Sequence, residues 1–250
     1  MLEALLWDVD GTLAETERDG HLLAFNHAFE SLDLPWRWSD AHYAALLAIA
    51  GGRERLLYDL RRQPLAPRQP EQQAALAERI HQLKTARYAA IVGRGALPLR
   101  AGVAELFEDC AQAGLAMAIV TTTTGSNVDA LLAAHLGPHW RAHFAAVVCA
   151  EDAPQKKPDP QAYLRALALL GVPAAGALAI EDSPAGVSAA RAAGVAVVVA
   201  RSAYFAAAAL TGALAVGPSL GSAADWQPAA AGPPHARIDL PQLARWHATR

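Results

Sequence analysis

The 250-residue chain carries 21 Lys and Arg against 24 Asp and Glu, a net charge of -3 with histidine neutral, and is 53% hydrophobic. That composition suits one large domain or a domain with an insert, and it excludes a wholly disordered chain. With no basic excess, the chain does not fit a nucleic-acid or membrane-surface binder, so any anionic ligand must be held by a local cluster of basic groups.

In chain order, the apolar run Leu2 to Trp7 reads as a buried strand. From Glu15 to about Ile91 only helical periods follow: Glu17 to Leu32, Asp40 to Ile49, Arg53 to Arg61 and Glu71 to Tyr88. Further buried strands are expected at Leu115 to Val120, Ala145 to Cys149, Ala177 to Ile180 and Val195 to Ala200. Between them lie helical patterns at Gly102 to Ala113, Ser126 to His135, Pro160 to Leu170 and Pro184 to Ala193. Gly194 to Gly217 reads as a strand and a following helix rather than a membrane span, because Arg201 and Ser202 break its apolar run. The segment from Ala223 to Pro234 reads as a loose loop, and a short helix, Leu240 to Ala248, is expected to dock through Trp246.

Alternating strands and helices predict an α/β fold, a doubly wound Rossmann-like parallel sheet, with an inserted all-helical cap domain. The expected boundaries are 1-14 and 95-222 for the core, 15-94 for the cap and 223-250 for a tail with its docking helix. Cys110 and Cys149 supply neither a disulfide framework nor a zinc spacing. The start of the chain lacks a basic segment, and Asp8 interrupts its apolar run, so a cytoplasmic protein is expected, monomeric by default.

Ligands of open α/β sheets bind beyond the carboxyl ends of the strands. Asp8, Asp10, Gly11 and Thr12 follow the first run; Thr121, Thr122, Thr123 and Thr124 end the second. The loop beyond Cys149 carries Lys156 and Lys157, and Glu181, Asp182 and Ser183 follow Ile180. Each has an ordinary reading alone: Asp-Gly as a turn, threonines as strand, lysines as a solvated loop, Asp182-Ser183-Pro184 as a helix start. Together they place acids, hydroxyls and ammoniums around one crevice. Asp8, Glu181 and Asp182 would crowd so much negative charge there that a divalent cation is the natural remedy. Oxygen ligands without paired His or Cys favour Mg2+. Thr121, the N–H groups after it and Lys157 suit a phosphate. Asp8 could then attack phosphorus, with Asp10 as acid and base.

Asp8-Val9-Asp10-Gly11-Thr12, Thr121, Lys157-Pro158 and Glu181-Asp182-Ser183 resemble, in order, the four signatures of the haloacid dehalogenase superfamily. The helical insert resembles the subgroup holding β-phosphoglucomutase and the CbbY-type sugar phosphatases. The stretches AETERDGHLLAFN, LPWRW, AGGRERL, TTTTGSNVDALL and KKPDPQAYLRAL are similar to the CbbY type. That resemblance implies removal of phosphate from xylulose 1,5-bisphosphate, a misfire product that inhibits Rubisco. It also implies Asp8 as nucleophile and metal ligand, Asp10 as acid/base with its carbonyl on the metal, Thr121 and Lys157 on the phosphate, and Glu181 with Asp182 completing the Mg2+ site.

The substrate is expected to be a small sugar phosphate. Thr12, Thr122 and Thr123 stand beside the motifs as substrate-binding candidates. In the cap, Glu15, Glu17 and His21 could meet sugar hydroxyls; Gly52, Arg53 and Arg55 open a helix suited to a second phosphate; and Lys84 lies where the subgroup carries a cap lysine. Each also reads as a plain helix-surface residue. Trp36 and Trp38 are expected to pack between cap helices, and Gly137-Pro138 separates His135, His139 and His143 from a shared metal face. A β-phosphoglucomutase-type mutase and a phosphatase of phosphoglycolate or another sugar phosphate remain open. Carbon–halogen hydrolysis needs neither the metal cluster nor Asp10, and a receiver domain would put its acid pair and phospho-accepting aspartate on different strands.

Overall fold

A computed structural model describes the chain from Met1 to Arg250. It divides into two compact units, Met1–Glu15 with Pro98–Arg250, and Thr16–Leu97. The first unit opens with β1 (Ala4–Trp7). The second unit is helical: a π-helical stretch, Glu17–Leu22, runs into α1 (Leu23–Ser31), followed by α2 (Asp40–Leu46), α3 (Gly52–Leu60) and α4 (Pro70–Gly93). The chain then returns to the first unit with α5 (Val103–Ala113), β2 (Ala116–Val120), α6 (Gly125–Leu136) and β3 (Ala146–Val148). It continues through α7 (Gln161–Leu170), β4 (Ala177–Glu181), α8 (Pro184–Ala192), β5 (Ala196–Ala200), β6 (Ala215–Gly217) and α9 (Leu240–His247).

The six strands pair in parallel in the order β3-β2-β1-β4-β5-β6. The chain therefore winds one way from β1 and the other way from β4, which opens a crevice at their carboxyl ends. Side chains alternate across the sheet. Leu6, Ala118, Ala179 and Val197 share a core cluster with Tyr163 and Ala166 of α7 and Val187 of α8. Trp7, on the other face, meets Phe107 of α5 edge-on at 4.8 Å. The small side chains of Ala118, Ala177 and Ala179 let α7 and α8 lie close to the sheet.

Helix ends follow local chemistry. Ser183 accepts from Gly186 N–H at 3.2 Å with Pro184 in the first turn, the start read from the sequence. Asp239 caps α9 through Gln242 N–H at 2.8 Å. Within the helical unit, Trp38 is buried against Phe25 at 4.8 Å and Phe29 at 5.1 Å, as the packing reading of that residue expects. Asn26 holds the Trp38 backbone at both N–H and C=O, and Asp59 accepts from Trp38 Nε1 at 2.7 Å. No helix of the structure is long and apolar enough to cross a membrane.

Two stretches differ from expectation. No helix follows β5. The Arg201 guanidinium donates to the Phe205 and Ala208 carbonyls at 2.9 and 2.8 Å, fixing turns where alanine propensity favours helix, and the chain then adds β6. The stretch 223-234 is pinned rather than loose. Trp226 is buried, its Nε1 donates to the Ser219 and Ser222 carbonyls, and its ring stacks on Trp246 at 4.8 Å. Gln227 bridges the edge strand β6 through Val216, and Arg237 grips Asp109 of α5 with two bonds of 2.7 Å. Trp226→Ala should therefore lower stability by about 3–5 kcal/mol in urea denaturation; a loss below about 1 kcal/mol would mean that this tail does not belong to the core.

Candidate active site

The site grows from the ends of three adjacent strands. Asp8 extends β1, its N–H donating to the Ile180 carbonyl of β4 at 3.1 Å, which brings it beside Glu181. Thr12 Oγ1 donates to Asp8 Oδ2 at 3.0 Å across a tight turn. Gly11 makes that turn with φ of 84°, and a Cβ there would fall 2.1 Å from Asp182 Oδ2, so only glycine fits. Gly186 does the same for Glu181, whose Oε2 lies 1.9 Å from where a Cβ would stand.

Lys157 ties the strand ends together. Its Nζ donates to Asp8 Oδ1 at 2.8 Å, to the Val120 carbonyl of β2 at 2.9 Å and to Glu181 Oε1 at 2.6 Å, using all three ammonium protons. Asp182 accepts from Ser202 Oγ at 2.6 Å, and Glu181 accepts from Tyr163 OH at 2.6 Å. Asp10 is half-buried on the next turn, bridged to Ala14. Thr121 is buried and its Oγ1 accepts from Thr123 N–H at 3.1 Å, while Thr123 Oγ1 accepts from Asn127 Nδ2 at 3.0 Å. Thr122 is half-buried in the same loop. Of the N–H groups expected to meet phosphate, that of Thr123 is thus already engaged, and Gly125 N–H donates to the Glu151 carboxylate.

Asp8, Glu181 and Asp182 are buried with carboxylate oxygens within 4.8 Å of one another, and this oxygen-only set fits a hard divalent cation. Burial, reinforced by the charges of Glu181 and Asp10, pushes the Asp8 carboxyl up to about 7 against the pull of Lys157. Burial and the charges of Asp8 and Glu181 hold Asp182 well above the carboxylate range. Lys157 moves upward: burial disfavours its charge, but Asp8 and Glu181 outweigh that. One ammonium faces three carboxylates, so Lys157 offsets only part of their charge.

The other predicted residues have partners within their own units. Glu15 lies 3.5 Å from Arg100 and accepts from Ala203 N–H. In the helical unit, Glu17 and Arg55 are partners, 3.1 Å apart, with Tyr43 OH donating to Glu17. His21 stacks on Tyr88 at 4.3 Å, and Lys84, also buried, lies 5.2 Å from the same ring. Gly52 faces Phe25, and Arg53 reaches Glu78 at 3.6 Å on the surface. Tyr163 and Ser202 escaped the sequence reading. Tyr163 looks like one more core aromatic on α7, and Ser202 only marked the end of an apolar run.

The haloacid dehalogenase-like hydrolase family profile matches residues 2–194. The chain belongs to that family. Among the most similar relatives of this hydrolase is the plasmid protein CbbY of Cupriavidus necator, 45% identical over 98% of this chain and 97% of that one. Among solved structures, a mutant CbbY from Rhodobacter sphaeroides in complex with xylulose 1,5-bisphosphate is 38% identical, with a TM-score of 0.81 over 88% of this chain and 95% of that one. The same organism's CbbY in complex with phosphate is 39% identical, with a TM-score of 0.79 over 85% of this chain and 92% of that one.

The raised Asp8 carboxyl has a consequence for stability. Folded, it keeps its proton up to about 7; unfolded, it releases it near 3.8. Between those values the folded state binds the extra proton, so stability falls as pH rises. In metal-stripped protein the thermal midpoint should fall from about pH 5 to about pH 7.5, and Mg2+ should raise it more at the higher pH. A midpoint that rises over that interval, or an Mg2+ effect larger at the lower pH, would contradict this electrostatic account.

Proposed function

We propose that this hydrolase is a Mg2+-dependent phosphatase that converts xylulose 1,5-bisphosphate to xylulose 5-phosphate and phosphate. The observation that carries the reading is the Lys157 ammonium held between Asp8 and Glu181 at the switch point of the sheet. The complexes of related CbbY structures with phosphate and with that sugar bisphosphate support the substrate class.

In this reading Asp8, Asp10, Glu181 and Asp182 surround the cation, and Glu181 also accepts from Lys157, Tyr163 and Asp182 N–H. When bound, Mg2+ neutralises charge on the transferring phosphoryl group. An Asp8 oxygen attacks phosphorus, the bond from phosphorus to the sugar oxygen breaks, and an aspartyl phosphate forms. Asp10 gives its proton to the departing sugar oxygen, then takes one from the water that attacks the aspartyl phosphate, releasing phosphate and restoring Asp8. Thr12, bonded to Asp8 Oδ2, fixes the rotamer of the nucleophile. Thr121 holds a phosphoryl oxygen, and Lys157 turns the proton it gives Asp8 Oδ1 to another as phosphate enters, placing positive charge where negative charge builds.

Asp8→Asn should lower phosphate release from xylulose 1,5-bisphosphate by roughly 10⁴- to 10⁶-fold, with folding preserved. EDTA should stop the parent and Mg2+ restore it. Comparable turnover by the variant, or undiminished release in EDTA, would sink the assignment. Isomerised sugar in place of free phosphate would favour a mutase.

A further inference from the structure

We infer that Tyr163 is a positioning residue for phosphoryl transfer, acting through Glu181 to hold Lys157 against Asp8. The inference rests on the phosphatase reading above and adds a residue outside the strand-end motifs.

The placement follows from strand alternation. Leu6 and Ala179 point to the face on which α7 packs. Asp8 and Glu181, each two residues further on, therefore project toward the same side. Tyr163, in the first turn of α7, is fully buried there. Its hydroxyl donates to Glu181 Oε1 at 2.6 Å, the very oxygen that accepts from Lys157 at 2.6 Å. Its ring lies 5.1 Å from Lys157 Nζ, so hydroxyl and ring grip both members of the pair.

The sharing of one oxygen sets a balance. Lys157 divides its protons among Asp8, Val120 and Glu181. The Tyr163 hydroxyl takes up part of the charge on Oε1 and fixes where that oxygen stands. Without it, Glu181 draws the ammonium more strongly and gains freedom to turn, and Lys157 leaves the position from which it serves Asp8 and the phosphoryl oxygens. Phenylalanine would keep the packing and the ring over Lys157 while removing only this bond.

The test compares the parent, Tyr163→Phe, Glu181→Gln and the double variant on xylulose 1,5-bisphosphate and on p-nitrophenyl phosphate. Steady-state constants are paired with single-turnover rates at excess enzyme, so that very slow variants are still read. Tyr163→Phe should fold and lose about 10- to 100-fold in kcat, with KM within about twofold of the parent. In the Glu181→Gln background the same change should cost little further, because the charge on Oε1 through which Tyr163 acts is gone. A kcat within about twofold of the parent, a full additional loss in the Glu181→Gln background, or a Tyr163→Phe chain that does not fold would overturn the inference. A parent that releases phosphate from neither ester would instead overturn the phosphatase reading on which it stands.

Discussion

The contact between Lys157 and the Asp8–Glu181 pair is the constraint on which the site depends. It joins residues 149 and 24 positions apart and spans the ends of β1, β2 and β4. Burying three carboxylates is costly unless charge is returned to them, and one ammonium supplies only part of it. Burial first, and repulsion from neighbouring carboxylates second, hold the Asp8 and Asp182 carboxyls up, and a divalent cation could supply the missing positive charge. The same crowding of negative charge that makes the cluster costly to bury is what suits it to a cation.

Sheet order turns that contact into geometry. With β1 between β2 and β4, its terminal aspartate must stand between the threonine loop on one side and the Glu-Asp pair on the other. Glycines then decide how closely the acids approach the backbone. Gly11 admits Asp182, and Gly186 admits Glu181. Ser202, on the loop after β5, steadies Asp182 at 2.6 Å, as Tyr163 steadies Glu181. Arg100 locks that loop to the first turn, donating to the Gly11, Ala200 and Arg201 carbonyls. Asp8, Glu181 and Asp182 therefore each have a hydroxyl donor behind them, from Thr12, Tyr163 and Ser202.

Much of this was legible in the chain. Apolar runs ending in acid, hydroxyl or amine mark strand ends directly, because a parallel strand is buried on both faces until it reaches the crevice. Ser183 and Pro184 announced α8 by local chemistry alone. Less legible were features that depend on distant partners. Glu17 and Arg55 read as separate ligand candidates, yet they pair across 38 residues. The alanine run after Arg201 has helix propensity, but the arginine side chain takes its carbonyls. β6 is three residues long and Trp226 sits among prolines and glycines, so neither has a period to read. Tyr163 carries no signal beyond an apolar helix face.

The most direct test of the central claim is calorimetric titration of Mg2+ into metal-stripped protein at about pH 7, in buffers of differing ionisation enthalpy. A cluster left short of positive charge, with Asp8 still partly protonated, should take up one ion per chain and release protons as it does so, and Asp182→Asn should abolish the uptake. Saturable binding without proton release, or none at all, would contradict it.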